Sequence, residues 1–356
     1  MTFAHRILAS CSIACLLLGA SEAFAQQTIR LTVAAGSPPT VTPAKMTKEV
    51  FIPEVNKRLK ASGQNVKIEW TEAYNQTLAK FNEVFEAVEE GVAHVGVLLK
   101  NFEESKLPLE QYPSSIPFGI TDTTEMSKAD RSIRAKIPEM DAQFLKYNQV
   151  VLAHATGESQ QLFTNFPVQK VEDLKGHKIG GSGALGLALR GTGAVLVTAS
   201  MASSYTDIAN GVYEGYVIHE GLAQPYKTYQ VARYVAHADF GASVVGALSI
   251  NKNTWDGLPK PVQAVFREAA DVWLQEYVKW DQKKTETATA ALKKEGVKTT
   301  KLPPAERQKW AKIMPNIAQE WAEAVEKQGL PGRKVLTAYM DEVRARGKPV
   351  REWDKE

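Results

Sequence analysis

Cysteine is nearly absent from this chain of 356 residues. Its two cysteines, Cys11 and Cys15, both lie within the first 15 residues. The rest of the chain therefore forms no disulfide and has no thiol for nucleophilic catalysis. The six histidines are scattered without an H-x-x-x-H pair, and no G-x-S-x-G elbow surrounds a serine. The sequence thus shows neither a metal-binding histidine pair nor a hydrolase nucleophile motif.

An excess of one charge sign is also missing. The chain has 43 Lys and Arg against 40 Asp and Glu, a formal net charge of +3, and no dense basic stretch. This balance gives no case for nucleic-acid binding. The length exceeds one average domain and suits two lobes with a sizeable core.

The first 25 residues have the three regions of a secretory signal peptide. Arg6 gives a positive start, residues 7–18 are mostly apolar, and Ala23-Phe24-Ala25 matches a cleavage signal. The apolar stretch is shorter than the ~20 residues that span a bilayer. We therefore expect cleavage after Ala25 and export of a soluble chain. A lipoprotein anchored through Cys15 is the alternative, although the residues around it match that signal poorly.

The hydrophobic pattern of the first 100 residues alternates between strand and helix periodicity. Strands are predicted at 28–34, 66–70 and 92–99, with helices at 46–59 and 78–88. Pro53 should kink or split the first helix. This alternation predicts a mainly parallel sheet covered by helices.

The pattern then restarts and ends in long helices. Strands are predicted at 150–153, 178–179, 195–197 and 242–250, and helical stripes at 262–277 and 310–325. Residues 211–218 are predicted to end a helix and begin a further strand. We therefore expect an α/β protein of two lobes with a ligand cleft between them. Lobe I is expected to comprise residues 26–150 plus about 240–260, and lobe II residues 151–239. Residues 260–356 should form a long helix and C-terminal helices that pack across both lobes.

Ligands in such folds bind beyond the carboxyl ends of parallel strands, so polar and aromatic residues at predicted strand ends are candidates for the site. The candidates are Trp70, Lys100, Asn101, Gln160, Gly180, Gly181, Ser182, Tyr205, His219 and Glu220. For each of them a structural role, such as core packing or a solvated surface, is the alternative.

Several segments resemble solute-binding proteins of the tripartite ATP-independent periplasmic (TRAP) transporter family, of the DctP type. Residues 171–180 resemble its turn and strand, and residues 86–96 its helix–glycine–strand unit. Ile116-Pro117-Phe118, residues 211–215 and residues 250–255 resemble further family segments, in the family's order and spacing.

The resemblance implies a two-lobe, type II-like periplasmic binding protein that is not an enzyme. Such a receptor closes around a small organic acid and delivers it to the small and large membrane subunits of the transporter. We expect a monomer without a cofactor. A binding subunit that feeds a membrane sensor is one alternative, and an exported enzyme on the same scaffold is another.

The family usually has an arginine that grips the ligand's carboxylate where this chain has Gly180. Glycine lacks the guanidinium fork, so we expect a bulky or aromatic monocarboxylate rather than a four-carbon dicarboxylate. Backbone N–H groups of the glycine-rich turn 180–186 could hold the acid, helped by Lys100, with Trp70 and Tyr205 shaping the site. Arg190, ten residues further on, is a candidate to replace the missing arginine. The alternative for the turn 180–186 is a tightly packed connection that binds no ligand.

The same turn contains G-x-G-x-x-G at Gly181, Gly183 and Gly186. A dinucleotide site would need an acidic residue at a strand end about 20 residues further on. Asp207 lies in a segment with helical periodicity, so the sequence disfavours this interpretation.

Overall fold

The computed structural model describes residues 26–181 and 183–356, which form two β-sheets covered by helices. The predicted signal peptide and Ser182 lie outside the described residues. The strands are β1 (Gln27–Ala35), β2 (Val66–Ala73), β3 (Val95–Leu99), β4 (Gln149–Gly157), β5 (Gln161–Thr164), β6 (Lys178–Gly181), β7 (Val195–Thr198), β8 (Gly215–Ile218), β9 (Tyr234–His237), β10 (Ser243–Asn251) and β11 (Lys298–Lys301).

Helices make up most of the remainder. The α-helices are α1 (Thr42–Met46), α2 (Ile52–Ala61), α3 (Val84–Glu89), α4 (Tyr112–Ser115), α5 (Thr123–Lys136), α6 (Glu139–Leu145), α7 (Ser204–Ala209), α8 (Glu220–Ala223), α9 (Lys252–Gly257), α10 (Lys260–Lys294), α11 (Pro304–Ile313), α12 (Ile317–Glu326) and α13 (Gly332–Arg346). None of the described helices is both long and apolar enough to cross a membrane.

The first sheet has the strand order β2-β1-β3-β10-β4. Strand β1 pairs in parallel with β2 and β3, whereas β10 runs antiparallel to β3 and β4. One face packs on α2 and on the first half of α10, where Phe266 and Trp273 are fully buried. The other face packs on α3 and on Phe144 of α6. The sheet is thus covered on both sides, as parallel strands require.

The second sheet has the strand order β11-β9-β5-β8-β6-β7. Strand β6 is parallel to β7 and β8, and β5 is antiparallel to β8 and β9. Every residue of β5 and β8 is buried, because apolar clusters cover both faces of the sheet. Helices α11 to α13 supply much of one cover.

The chain crosses between the sheets at residues 158–160 and again at 238–242. The division into lobes therefore differs from the sequence expectation in two places. Strand β4 pairs with β10 in the first sheet, so lobe I extends to Gly157 rather than to residue 150. Strand β11, in the C-terminal region, adds an edge to the second sheet beside β9.

Proline explains two local features of the helices. A π-helical turn at Thr47–Phe51 precedes α2, and its changed hydrogen-bond spacing accommodates Pro53, which has no N–H to donate. The predicted interruption of this helix is therefore present. The predicted stripe at 310–325 is split into α11 and α12 around Pro315 for the same reason.

The segment that follows β2 is not helical until Val84, although helical periodicity begins at Leu78. Asn75 and Gln76 both have positive φ angles, and the backbone of Phe81 lies against Gly36. A methyl group at position 36 would lie 2.6 Å from the Phe81 Cα atom. This segment therefore crosses the carboxyl end of β1, which requires an irregular path.

The long helix α10 connects both lobes. Its 35 residues begin in the core of the first lobe and reach the second, where Leu292 joins the apolar cluster that also contains Tyr213 and Tyr216. The turns that follow β3 and β6 also contact each other, at Lys100–Phe102 and Gly183–Leu189. The carboxyl ends of parallel strands from the two sheets thus face one another, where the cleft was predicted.

Candidate functional site

The space beside Gly180 is filled by two tyrosine rings. A methyl group at position 180 would lie 2.7 Å from Tyr216 Cδ2 and 2.8 Å from Tyr213 Cε2. Both tyrosines are buried; Tyr216 donates a hydrogen bond to the Ala199 carbonyl oxygen at 2.8 Å, and Tyr213 donates one to Asp207. The missing arginine therefore leaves no hole at this position, since the protein's own side chains occupy it.

The glycine-rich turn is closely packed. A methyl group at Gly181 would lie 3.3 Å from the Gly186 Cα atom, and one at Gly186 would lie 2.5 Å from Leu196 Cδ1. Gly183 has a φ of 51°, and a methyl group there would lie 2.6 Å from the Glu104 carboxylate. Glu104 follows β3, so a negative side chain from the first lobe covers the turn in this conformation. These contacts fit a tightly packed turn, the alternative to a ligand-holding one.

Asp207 does not stand at a strand end. It lies on the short helix α7 and accepts hydrogen bonds from Ser203 and Tyr213. The structure therefore does not provide the ribose-binding acid that the G-x-G-x-x-G motif would need.

Lys100 belongs to a buried ion network in the first lobe. Its ammonium is 1% exposed and contacts the Glu110 carboxylate, and His154 Nδ1 lies 3.3 Å away. Arg134 donates to both oxygens of Glu110 at 2.8 and 2.6 Å and to Asp130 at 2.7 Å. We call Lys100, Glu110, Asp130, Arg134, Asp141 and His154 the lobe I network.

Within this network two permanent cations face the Glu110 carboxylate. Burial alone would raise the pKa of the Glu110 carboxyl, but Arg134 and Lys100 outweigh it and lower that pKa to about 2. Glu110 is therefore ionised and holds the Lys100 charge inside the lobe. The expectation that Lys100 supplies a free positive charge to a ligand is not met in this conformation, because its partner already neutralises it.

The two predicted aromatic candidates lie in different surroundings. The Trp70 ring packs 6.1 Å from Phe51 and 5.9 Å from Phe266, between ring centroids, and its Nε1 donates to Asn56. These contacts place Trp70, which is half-buried, against the core of the first lobe. Tyr205 is 40% exposed on α7. The structure does not bring the two rings together.

Gln160, His219 and Glu220 lie where the chain crosses between lobes. The backbone of Gln160 pairs with the second crossing segment, donating to Gly241 at 3.2 Å and accepting from Phe240 at 3.1 Å. Two residues earlier, Glu158 Oε2 lies 3.0 Å from His219 Nδ1 and accepts from the Gly221 N–H. Asn101 lies apart from this group, in the turn after β3, where its carbonyl oxygen approaches Gly183.

Glu220 is also held on both sides. Its Oε1 lies 3.1 Å from His237 Nε2, and the Thr289 hydroxyl of α10 donates to Oε2. The hydrogen bond to Glu220 raises the pKa of the His237 imidazole.

A cavity of about 490 Å³ opens beside this group and is here called the hinge cavity. Its walls come from the start of α5, the first crossing segment, the end of β9, the start of α8 and the second half of α10. Four of its lining residues are acidic: Asp122, Glu158, Glu220 and Glu286. The others are His237 and side chains with hydroxyl or amide groups, and neither lysine nor arginine lines it.

A further buried carboxylate, Asp281 of α10, lies near this cavity. Burial and the neighbouring Glu158 raise the pKa of Asp281 to about 6. Burial alone would also raise the pKa of the Glu158 carboxyl, but the neighbouring His219 outweighs burial and lowers that pKa to about 2. Within the described chain, Asp281 Oδ2 and Glu158 Oε1 are buried and have no hydrogen-bond partner.

Sequence reasoning missed Asp281 and His237, although one signal for Asp281 was available. Trp273 and Tyr277 belong to the apolar stripe of α10, and Asp281 continues that stripe four residues later. An acidic residue in a buried stripe indicates an unusual environment. Across residues 26–181 and 183–356, no three His, Cys, Asp or Glu side chains are grouped so that they could hold a metal ion.

Comparison with known proteins gives a family match. The model of bacterial extracellular solute-binding proteins, family 7 (DctP), matches residues 40–324. A search of curated proteins finds no match to this chain.

Solved structures show the same fold. A TRAP periplasmic solute-binding protein from Desulfovibrio salexigens is 22% identical, with a TM-score of 0.77 over 90% of this chain and 97% of that chain. An extracytoplasmic solute receptor of Bordetella pertussis that binds pyroglutamic acid is 21% identical (TM-score 0.73; 88% and 99% covered). A TRAP solute-binding protein from Rhodoferax ferrireducens with copurified benzoate is 18% identical (TM-score 0.74; 89% and 98% covered). The two-lobe α/β fold predicted from the sequence is confirmed.

Proposed function

The chain belongs to family 7 of the bacterial extracellular solute-binding proteins, and we propose that it captures a small organic acid in the periplasm for a TRAP transporter. The match to residues 40–324 carries this proposal and bears out the resemblance seen in the sequence. The protein is a solute-binding receptor and not an enzyme. Export would follow cleavage after Ala25, and the captured acid would pass to the membrane subunits.

Capture is proposed to proceed by hinge closure. Along the described chain, the two sheets are connected by the crossing segments at 158–160 and 238–242 and by α10. Rotation about these connections would separate or join the facing turns after β3 and β6. A ligand that contacts both turns only in the closed form shifts the equilibrium towards closure.

A bulky or aromatic monocarboxylate is the proposed ligand class, in preference to a four-carbon dicarboxylate. A dicarboxylate needs two groups that hold negative charge. Position 180 has no guanidinium and no room for one beside Tyr213 and Tyr216, and Lys100 is neutralised by Glu110. The ligands of two relatives in this fold, benzoate and pyroglutamic acid, each have a single carboxylate.

Uncharged donors are proposed to hold that carboxylate. The backbone N–H groups of the turn after β6 become accessible when the lobes open, because Glu104, which covers Gly183, belongs to the opposite lobe. Asn101 and Gln160 would supply amide donors, and the exposed ring of Tyr205 would contact the body of the ligand. Hydrogen bonds to backbone N–H groups can stabilise an anion without an arginine.

Thermal-shift measurements on residues 26–356 test the ligand class. A ligand present at ~100 times its Kd stabilises the folded state by ~2.7 kcal/mol, which raises the unfolding midpoint. We expect benzoate, pyroglutamate or a larger monocarboxylate to raise it and succinate to leave it unchanged. A shift with succinate alone, or only with solutes that lack a carboxylate, would contradict the proposed class. Co-purification with the membrane subunits tests delivery.

A further inference from the structure

We propose that a small cavity at the junction of the lobes selects organic acids that carry an uncharged hydrogen-bonding group, such as a hydroxyl, oxo or amide group, besides their carboxylate. The lining of this junction cavity includes Ser114, Gln160, Leu185 and Ser243. Gln160 and Ser243 are the specificity-determining residues that would bind the uncharged group. The inference rests on the proposed capture of an organic acid and narrows its ligand class.

The junction cavity lies where both crossing segments meet the turn after β6. Gln160 comes from the first crossing segment and Gly241 from the second. Leu185 enters from the opposite side and belongs to the glycine-rich turn 180–186. The cavity therefore adjoins the backbone N–H groups that are proposed to hold the carboxylate, and one small acid can reach both places.

The size and the lining of the junction cavity limit what it can hold. Its volume in this conformation is about 20 Å³, enough for one group of about the size of a water molecule. None of the residues that line it is charged. Burial of an ionised group there would be costly, whereas an uncharged polar group needs only hydrogen bonds. The cavity thus suits a hydroxyl, oxo or amide group and not the second carboxylate of a dicarboxylate.

Two buried polar side chains of the lining are poorly satisfied by the described part of the chain. Ser243 is 4% exposed, and its hydroxyl group is buried without a hydrogen-bond partner among the described residues. Gln160 is 6% exposed, and the hydrogen bond from its Nε2 to the Glu158 carbonyl oxygen is long, at 3.5 Å. Buried polar groups without good partners are unfavourable, so a ligand group that bonds to them is stabilised.

This arrangement predicts discrimination between closely related acids. A site that hydrogen-bonds a ligand group rejects the analogue that lacks this group, because the buried polar groups of the site then stay unpaired. An acid with the uncharged group should therefore bind about tenfold or more tightly than its matched analogue.

Titration calorimetry of residues 26–356 with matched pairs of acids tests the proposal. The pairs are 3- or 4-hydroxybenzoate against benzoate, and pyroglutamate against cyclopentanecarboxylate. In at least one pair we expect the acid with the polar group to bind about tenfold or more tightly. Ser243→Ala should reduce this preference to less than about threefold by weakening the polar acid alone. The unfolding midpoint of the ligand-free variant should stay the same or rise, because no hydrogen bond within the described chain is lost.

Ser249→Ala is the matched control on the same strand. Ser249 is also buried, but its hydroxyl donates to Gln149 at 2.9 Å and does not line the cavity. This variant should have a lower unfolding midpoint and an unchanged preference between the acids. Gln160→Met provides a second test at the cavity in case Ser243→Ala folds poorly, and it should also reduce the preference.

The outcomes distinguish this inference from the proposed function. Binding of the acids without the expected preference in either pair, or a preference that both Ser243→Ala and Gln160→Met retain, would overturn the inference and leave acid capture standing. Binding of phenol or 2-pyrrolidone but of no carboxylate, weakened by Ser243→Ala, would contradict acid capture and support the role of the cavity. Absence of binding by every probe at about 10 mM, where even a millimolar Kd is detected, would overturn both.

Discussion

The lobe I network and the hinge cavity both contain buried carboxylates, but they compensate them differently. In the network, Glu110 accepts from both Arg134 and Lys100, so its charge is matched by permanent cations. At the hinge, the cationic partners of Glu158 and Glu220 are histidines, and Asp281 has an oxygen without a hydrogen-bond partner among the described residues. The network lies within one lobe. The hinge carboxylates come from three parts of the chain: Glu158 from the first crossing segment, Glu220 from the second lobe and Asp281 from α10.

This contrast distinguishes charged groups that stabilise the fold from charged groups whose state can change with pH or with a bound cation. A fully paired network has little to gain from another ion, because each group already has a partner. Carboxylates with partial pairing gain from a proton or a cation, so their state changes with conditions. The hinge is where such a change affects the relative position of the lobes. We therefore expect substitutions in the two regions to differ in size and in pH dependence.

The largest effect is expected for Arg134→Met. This change leaves Glu110 and Asp130 buried with their main cation removed, and loss of one partner from a buried pair typically costs about 3–5 kcal/mol. The free energy of unfolding in denaturant measures the loss. Arg131→Met is the matched control, since that side chain is 66% exposed on the same helix and should change stability by less than about 0.5 kcal/mol. Similar losses for both variants would show that the network does not carry the stability assigned to it.

The second effect, at Asp281→Asn, should depend on pH. In the folded protein the pKa of Asp281 is raised to about 6 from a usual value of 3.8. Its stabilising contribution is fully present below about pH 4 and is lost as pH rises through 6, a loss of about 3 kcal/mol. Asparagine does not titrate, so the stability of the variant relative to wild type should rise by about that amount between pH 4 and pH 8.

Unfolding curves at several pH values check this expectation. Asp271→Asn, on the same helix but exposed and paired with Arg131, should show a difference from wild type of less than about 0.5 kcal/mol at each pH. A pH-independent difference for Asp281→Asn would mean that Asp281 is ionised throughout and that the hinge is as well compensated as lobe I.

Gly180→Ala extends the comparison from charge to space. The added methyl group would overlap the rings of Tyr213 and Tyr216, and overpacking of this kind typically costs about 1–3 kcal/mol. Gly257→Ala, with no atom within 4 Å of the new methyl group, should change stability by less than about 0.5 kcal/mol. Thermal unfolding midpoints of the two variants and of the wild type measure this difference in stability. A silent Gly180→Ala would mean that the tyrosines move aside easily and that position 180 can open to a ligand.

The smallest effect is expected for Arg190→Ala. Arg190 pairs with Glu320 on the surface, with side chains 40% and 51% exposed, and such pairs contribute about 0–1 kcal/mol. Ligand affinity should stay unchanged, because the arginine is held by α12 and not by the cleft. A clear loss of organic-acid binding in this variant would restore Arg190 as the substitute for the missing arginine.

Local periodicity predicted most strands and helices, because alternation and helical spacing reflect burial directly. It could not decide which sheet a strand joins. Strand β4 has the same pattern whether it pairs with β10 or begins the second lobe, and only the long-range pairing with residues 243–251 settles this. Breaks that depend on proline were visible at Pro53, whereas the split at Pro315 was hidden by the apolar stripe on either side.

The candidate site was less predictable, since it depends on contacts between distant residues. The absence of arginine at Gly180 was visible in the sequence, but the rings that fill the space come from Tyr213 and Tyr216, more than 30 residues further on. Lys100 gave no sign of its pairing with Glu110 and the nearby Arg134. Strand-end reasoning selected Gln160, His219 and Glu220, which lie at or beside the first crossing segment; their part in ligand binding stays a prediction.

The placement of β11 restricts how this protein could be divided or exchanged during evolution. The second sheet receives its edge strand only after the chain has returned through β10 to the first sheet and run the length of α10. Neither lobe is therefore a continuous stretch of sequence, and a gene fragment that encodes one lobe would omit part of its sheet. Recombination that swaps a whole lobe would need several simultaneous breakpoints, so new ligand specificity is expected to arise through point substitutions at strand ends.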